Sequence, residues 1–115
     1  MASVDPTGLL PGTLDLLILK AVSHGAQHGY GILLRVEQMT GQSLTIEQGA
    51  VYPALHRLER QGLLAAEWGT SENNRRAKFY SPTASGRQRL KVAEGDWLRM
   101  VRIMGAALNY KPEGV

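Results

Sequence analysis

At 115 residues the chain is the size of one domain, able to bury roughly two thirds of its unfolded surface. Its 43% hydrophobic and 20% charged residues exclude wholesale disorder and fibrous repeats. Cysteine is absent, which excludes disulfides and thiolate metal sites and suits a reducing, cytoplasmic setting, while 13 Lys and Arg against 10 Asp and Glu give a net charge of +3 that favours a polyanionic partner.

The opening MASVDPTGLLPG has neither the basic nor the apolar region of a secretory signal. The most apolar run, Leu14 to Val22, is short and carries Asp15 and Lys20, so no membrane span is expected. Pro11 and Gly12 lead into Thr13, which is placed to cap a first helix whose Leu14, Leu17, Ile18, Ala21 and Val22 recur at helical spacing. His24-Gly25-Ala26-Gln27 stops it. A second helix of about ten residues follows the Gly29-Tyr30-Gly31 entry, carries Ile32, Leu33, Val36 and Met39, and ends at Gly41.

Thr45-Ile46-Glu47-Gln48 has the form of a capping box and predicts the start of a third helix there. Val51, Leu55 and Leu58 share its inner face, Gly62 closes it, and Pro53 is expected in or near its first turn. Leu63 to Trp68 and Lys78 to Ser81 read as strands on either side of a turn-rich stretch from Gly69 to Arg76, a β-hairpin with a basic tip. From Thr83, a second candidate cap, to about Leu108 no proline intervenes. Leu90, Trp97 and Met104 repeat every seven residues with Val101 and Leu108 among them, a long last helix with an apolar stripe and a frayed tail from Tyr110 to Val115.

Three short helices, a hairpin and a long helix predict a mainly helical α+β fold of the winged helix-turn-helix kind, in which the third helix can enter a major groove. Residues 9–82 would form the DNA-binding domain and residues 83–109 a dimerisation helix. The runs GTLDLLILKAV, HGYGILLRVEQMTG, GAVYPALHRLERQGLL and SENNRRAKFYSPTASGRQRL resemble the PadR family of transcriptional regulators, the compact acidobacterial type in particular. The likeness spans roughly Leu9 to Leu108. It is most specific in Tyr52-Pro53-x-Leu55-x-x-Leu58 leading to Gly62-Leu63, and in Tyr80-x-x-Thr83-x-x-Gly86. The resemblance implies a cytoplasmic repressor that dimerises through its last helix and binds an inverted-repeat operator; some relatives release DNA on binding phenolic acids or drugs. Members with large C-terminal domains carry several helices there, whereas this chain has one, as in the short class.

Candidate contact residues divide by element. With Val51, Leu55 and Leu58 inward, Gln48, Tyr52 and His56 line an outward edge of the third helix, where amide and imidazole groups can read base edges and a tyrosine hydroxyl can bond phosphate. The competing reading is a solvated polar face with Tyr52 partly packed. Gly49 allows either a close groove wall or a free helix start. Asn73, Asn74, Arg75, Arg76 and Lys78 belong to the hairpin tip, with the arginines suited to phosphates or a narrow minor groove and the asparagines to a tight turn. Tyr30 opens the second helix, beside N–H groups that favour an anion, or else packs on the first helix.

Leu90, Trp97, Val101, Met104 and Leu108 are the expected dimer interface, and Trp97 is where an aromatic effector would stack. His24 and His28 are separated by Gly25 and lack companions for a metal, Gly29-x-Gly31 is too short for a nucleotide loop, and no catalytic set is visible. No enzyme, cofactor or metal is expected. The rival to a DNA-binding regulator is a winged-helix protein-interaction module without specific DNA binding.

Overall fold

The computed structural model describes residues 12–113, so the expected domain start at Leu9 and the tail residues Gly114 and Val115 lie outside the described residues. The chain runs α1 (Thr13–Ser23), β1 (Gln27–His28), α2 (Gly29–Met39), α3 (Gln48–Arg60), β2 (Leu64–Thr70), β3 (Arg76–Pro82) and α4 (Ala84–Leu108). The fold is the mainly helical α+β winged helix-turn-helix that the order of elements predicts.

One core joins the helices and the hairpin, leaving out the two-residue β1 and the far end of α4. Leu14, Ile18 and Val22 of α1 meet Ile32 and Val36 of α2, and Val51, Leu55 and Leu58 of α3, with Leu64, Tyr80 and Leu90 closing the far side. Each set recurs three or four residues apart, so each helix presents one apolar stripe. Polar ties fix the layers at their rims. Arg35 donates to the carbonyls of Ala21 and Gly25, each at 2.9 Å, Lys20 pairs with Glu94 of α4 at 3.0 Å, and Arg57 of α3 pairs with Asp15 of α1.

The helix starts depart from the sequence reading in three places. Gly12, in the left-handed region at φ 84°, takes the cap position of α1, and Thr13 becomes the first helical residue. Its Oγ1 is buried without a hydrogen-bond partner. The capping box does not form either: α3 begins at Gln48 with Glu47 as its cap residue and no side-chain cap bond. Glu37 of α2 explains this, because its carboxylate accepts the Ile46 N–H at 3.1 Å and Ile46 is buried, which holds the preceding segment extended. Pro53 is the sixth residue of α3, deeper than its first turn. It lies on the exposed side, where water can serve the Gly49 carbonyl that proline cannot bond.

Thr83 does cap α4, its hydroxyl accepting the Gly86 N–H at 3.0 Å. α2 is capped by His28, whose Nδ1 accepts the Gly31 N–H at 3.1 Å. The sheet has the order β1-β3-β2, entirely antiparallel. β1, two residues long, is unforeseen, since a strand so short has no periodicity to read. The hairpin strands run further out than expected, to Thr70 and from Arg76, which confines the tip to Ser71–Arg75.

At the root of the hairpin, α4 passes directly over the chain. A β-carbon on Gly86 would stand 2.0 Å from the Leu63 carbonyl oxygen, whereas one on Gly95 would meet nothing within 4 Å. Gly86→Ala should therefore destabilise by about 2–3 kcal/mol through forced separation of α4 from that backbone. Gly95→Ala should stabilise by about 0.5–1 kcal/mol through helix propensity. Thermal denaturation of the two variants gives shifts of opposite sign if α4 touches the chain at Gly86 and is free at Gly95.

Candidate nucleic-acid interface

The inner stripe of α3 forces its other residues outward, so Gln48, Gly49, Tyr52 and His56 are exposed along one edge. Tyr52 is held against the start of α2. A β-carbon on Gly29 would lie 2.5 Å from Cε1 and 2.9 Å from the hydroxyl of Tyr52, so only glycine lets the ring rest there. Tyr30, one residue on, is exposed on the first turn of α2 rather than packed into the core.

Strand alternation builds the opposite wall. Along the face of the hairpin that contains buried Tyr80, the register pairs Ala66 with Tyr80, Trp68 with Lys78 and Thr70 with Arg76. This face begins as core at Leu64 and Tyr80 and continues past the end of the core. Lys78 donates to Glu59 of α3 at 3.1 Å, tying hairpin to helix, and that carboxylate holds the ammonium above the usual lysine range. Burial pushes the Tyr80 phenol up in turn. Further out, the Arg76 guanidinium sits 4.8 Å above the Trp68 ring. At the tip, the Ser71 N–H donates to the Arg75 carbonyl at 2.8 Å and Asn74 adopts φ 58°, the left-handed conformation that asparagine tolerates well.

Helix and hairpin enclose a cleft of about 340 Å³, lined among others by His28, Tyr52, His56, Trp68, Arg76 and Lys78. Four residues singled out in the sequence thus meet: Tyr52, His56, Arg76 and Lys78. Gln48 and Gly49 extend the same edge toward the N-terminus of α3, while Asn73, Asn74 and Arg75 stand exposed at the tip. Sequence reasoning misses Trp68 and His28. The alternation Leu64, Ala66, Trp68 is the signal that could have found the first, since it places Trp68 on the inward face; His28 carries no such signal. The cleft offers cations, imidazoles and aromatic faces at one surface, a set that suits phosphates, sugars and base edges.

The expected apolar stripe of α4 divides along its length. Leu90 is buried in the protomer core, and Trp97 is half-buried. Trp97 lines a second groove of about 340 Å³ with Leu16, Leu17, Lys20, Glu94 and Leu98. Val101, Met104 and Leu108 are 59%, 45% and 77% exposed, on a part of the helix that no other described element covers.

Comparison with known proteins agrees with this architecture. The model of the transcriptional regulator PadR-like family matches residues 18–92. The crystal structure of a PadR family transcriptional regulator from Eggerthella lenta is 30% identical, covers 87% of this chain and 85% of its own, and superposes with a TM-score of 0.71. A PadR family transcription regulator from Clostridium difficile is 26% identical over 85% of this chain and 100% of its own, at a TM-score of 0.73. Transcriptional regulator YqjI of Escherichia coli is 30% identical over 108 residues, 89% of this chain but 50% of that protein. Among the described residues no helix is long and apolar enough to cross a membrane.

The packing of Tyr52 on Gly29 is testable as a double-mutant cycle. Gly29→Ala should displace the Tyr52 ring and cost about 1 kcal/mol more in the wild-type background than in Tyr52→Ala, as measured by chemical denaturation. Equal costs in both backgrounds would mean that the ring does not rest on Gly29.

Proposed function

The chain belongs to the transcriptional regulator PadR-like family, and from that premise we propose that it is a homodimeric repressor that binds an inverted-repeat DNA operator sequence-specifically. The transcription-regulator role follows from the family; the partner, the assembly and the sign are our reading. The observation that carries it is the single cleft on which Tyr52 and His56 of α3 converge with Arg76 and Lys78 of the wing. A helix edge of amide, hydroxyl and imidazole groups flanked by a cationic hairpin suits a major groove and the adjoining backbone.

In this reading residues 9–82 bind DNA and residues 83–109 dimerise. Gln48, Tyr52 and His56 face the groove, Gly49 lets its wall come close, and Tyr30, Asn74, Arg75, Arg76 and Lys78 hold backbone. Val101, Met104 and Leu108 meet their two-fold counterparts beyond the core, with Trp97 and the turn of Leu90 at the inner end of that interface. A two-fold dimer then reads half-sites about 34 Å apart or a multiple of it. The groove beside Trp97 is apolar, so an aromatic effector stacked on the indole would sit between the reading head and the dimer helix and release the DNA.

Gel-shift titration of an operator fragment and a random duplex over several salt concentrations tests the division of labour. Replacing Arg75 and Arg76 together by alanine should weaken both duplexes and reduce the salt slope by roughly 0.9 for each phosphate the two side chains neutralise. His56→Ala should instead narrow the gap between operator and random duplex. Equal effects of both variants on both duplexes would sink the assignment. Independently, Val101→Glu with Met104→Glu should convert a dimer to a monomer in analytical ultracentrifugation, and an unchanged sedimentation coefficient would remove the distal α4 from the interface.

A further inference from the structure

Trp68 stands where no core requires it. The inward face of the hairpin runs from Leu64 and Tyr80, both buried, through the Lys78–Glu59 tie to Trp68, whose side chain is 58% exposed. Large aromatic residues that remain this exposed on a preorganised surface mark contact with a partner. The ring is fixed rather than loose, because Arg76 from the neighbouring strand lies over it at 4.8 Å and it forms part of the wall facing Tyr52 and His56. The wall around it carries Arg76, Lys78, Tyr52, His56 and His28 beside the small Ala77, while Glu59 is engaged by Lys78 and the Glu72 carboxylate stands 3.7 Å from His28 Nε2.

We propose that Trp68 is a DNA-contact residue of the wing, its indole lying against a deoxyribose of the strand that runs through the cleft, with Arg76 carried by the ring toward the adjacent phosphate. The chemistry fits this partner in both halves. The sugar is the apolar part of the nucleic-acid backbone and takes an aromatic face, and the phosphates on either side take the guanidinium. A protein partner would have to bring carboxylates of its own to Arg75 and Arg76, whereas a duplex places a phosphate on both sides of every sugar. The inference rests on the reading of the protein as a duplex-binding regulator and adds an uncharged contact to a wing that the sequence reading makes wholly polar.

An uncharged contact has a signature of its own: it contributes affinity without releasing counterions. Trp68→Ala should lower operator affinity about tenfold while leaving the salt slope of the wild type unchanged, and Trp68→Phe should recover part of that affinity. Arg76→Ala should reduce the slope by about 0.9. Titration with operator duplex should quench the emission of the wild-type chain, and the quench should be lost in Trp68→Phe, whose one indole is Trp97. Silent emission, or Trp68→Ala binding within twofold of wild type, would overturn the proposal while leaving the regulator reading intact. Weakened binding that follows a lowered melting temperature, without quenching, would also overturn it, since that is the mark of a merely structural residue. A wild-type chain that binds no duplex would remove both together.

Discussion

The backbone around Leu63 is where the three functional parts of the molecule are tied to one another. Its N–H donates to the Leu58 carbonyl at 2.9 Å as α3 ends, and its own carbonyl accepts the Thr83 N–H at 3.1 Å as α4 begins. The Thr83 hydroxyl then donates to the Gly62 carbonyl at 2.6 Å while accepting from Gly86, so one side chain caps α4 and pins it to the end of α3. Gly62, at φ 75°, makes the turn between helix and strand. Because Gly86 allows α4 to touch the Leu63 carbonyl, α3, the hairpin and α4 leave one point in fixed directions. The cleft exists because α3 and the hairpin diverge from that point, with buried Tyr80 at its floor and the Lys78–Glu59 pair tying one wall to the other.

Much of this is legible in the sequence because it depends on periodicity and local chemistry. The stripe Val51, Leu55 and Leu58 fixes which edge of α3 faces outward, and Thr83 marks the cap of α4, whereas the close approach at Gly86 emerges only in the fold. What fails depends on distant partners. The Thr45 capping box has the right residues, but Glu37, in another helix, claims the Ile46 N–H and moves the helix start. His28 as a cap cannot be anticipated from residue preferences, which favour shorter oxygen-bearing side chains. Trp68 is visible as a strand residue, yet its importance comes from lying beyond the core on an inward face, which requires knowing where the core stops.

Charge is distributed in two ways that the net value of +3 does not distinguish. Lys20, Arg57 and Lys78 are in ion pairs with Glu94, Asp15 and Glu59, each joining two elements. Pairs as accessible as these contribute little stability individually, and their effect is to orient one element against another. Arg75 and Arg76 are in no ion pair among the described residues and stand at the outermost part of the wing. Two of the cations outside ion pairs are thus placed where the fold projects them, and charge in such a position is worth more to a polyanion than the same charge spread evenly.

The division of α4 gives the proposed dimer a mechanical consequence. Its first part is fixed at the Leu63 junction and through Leu90 and the Lys20–Glu94 pair, so within one subunit it cannot tilt without moving α1, α3 and the wing. Its last turns, beyond Leu98, are covered by no other element among the described residues. In the proposed dimer this helix of 25 residues, about 37 Å long, would act as an arm between the partner's surface and the cleft. The half-buried Trp97 lies at the boundary between the two parts, where α4 leaves α1. In the proposed dimer a ligand inserted there would need to move the arm only slightly, because a small change in angle at Trp97 would become a change in the separation of the two clefts, and an operator of fixed half-site spacing would respond to that change.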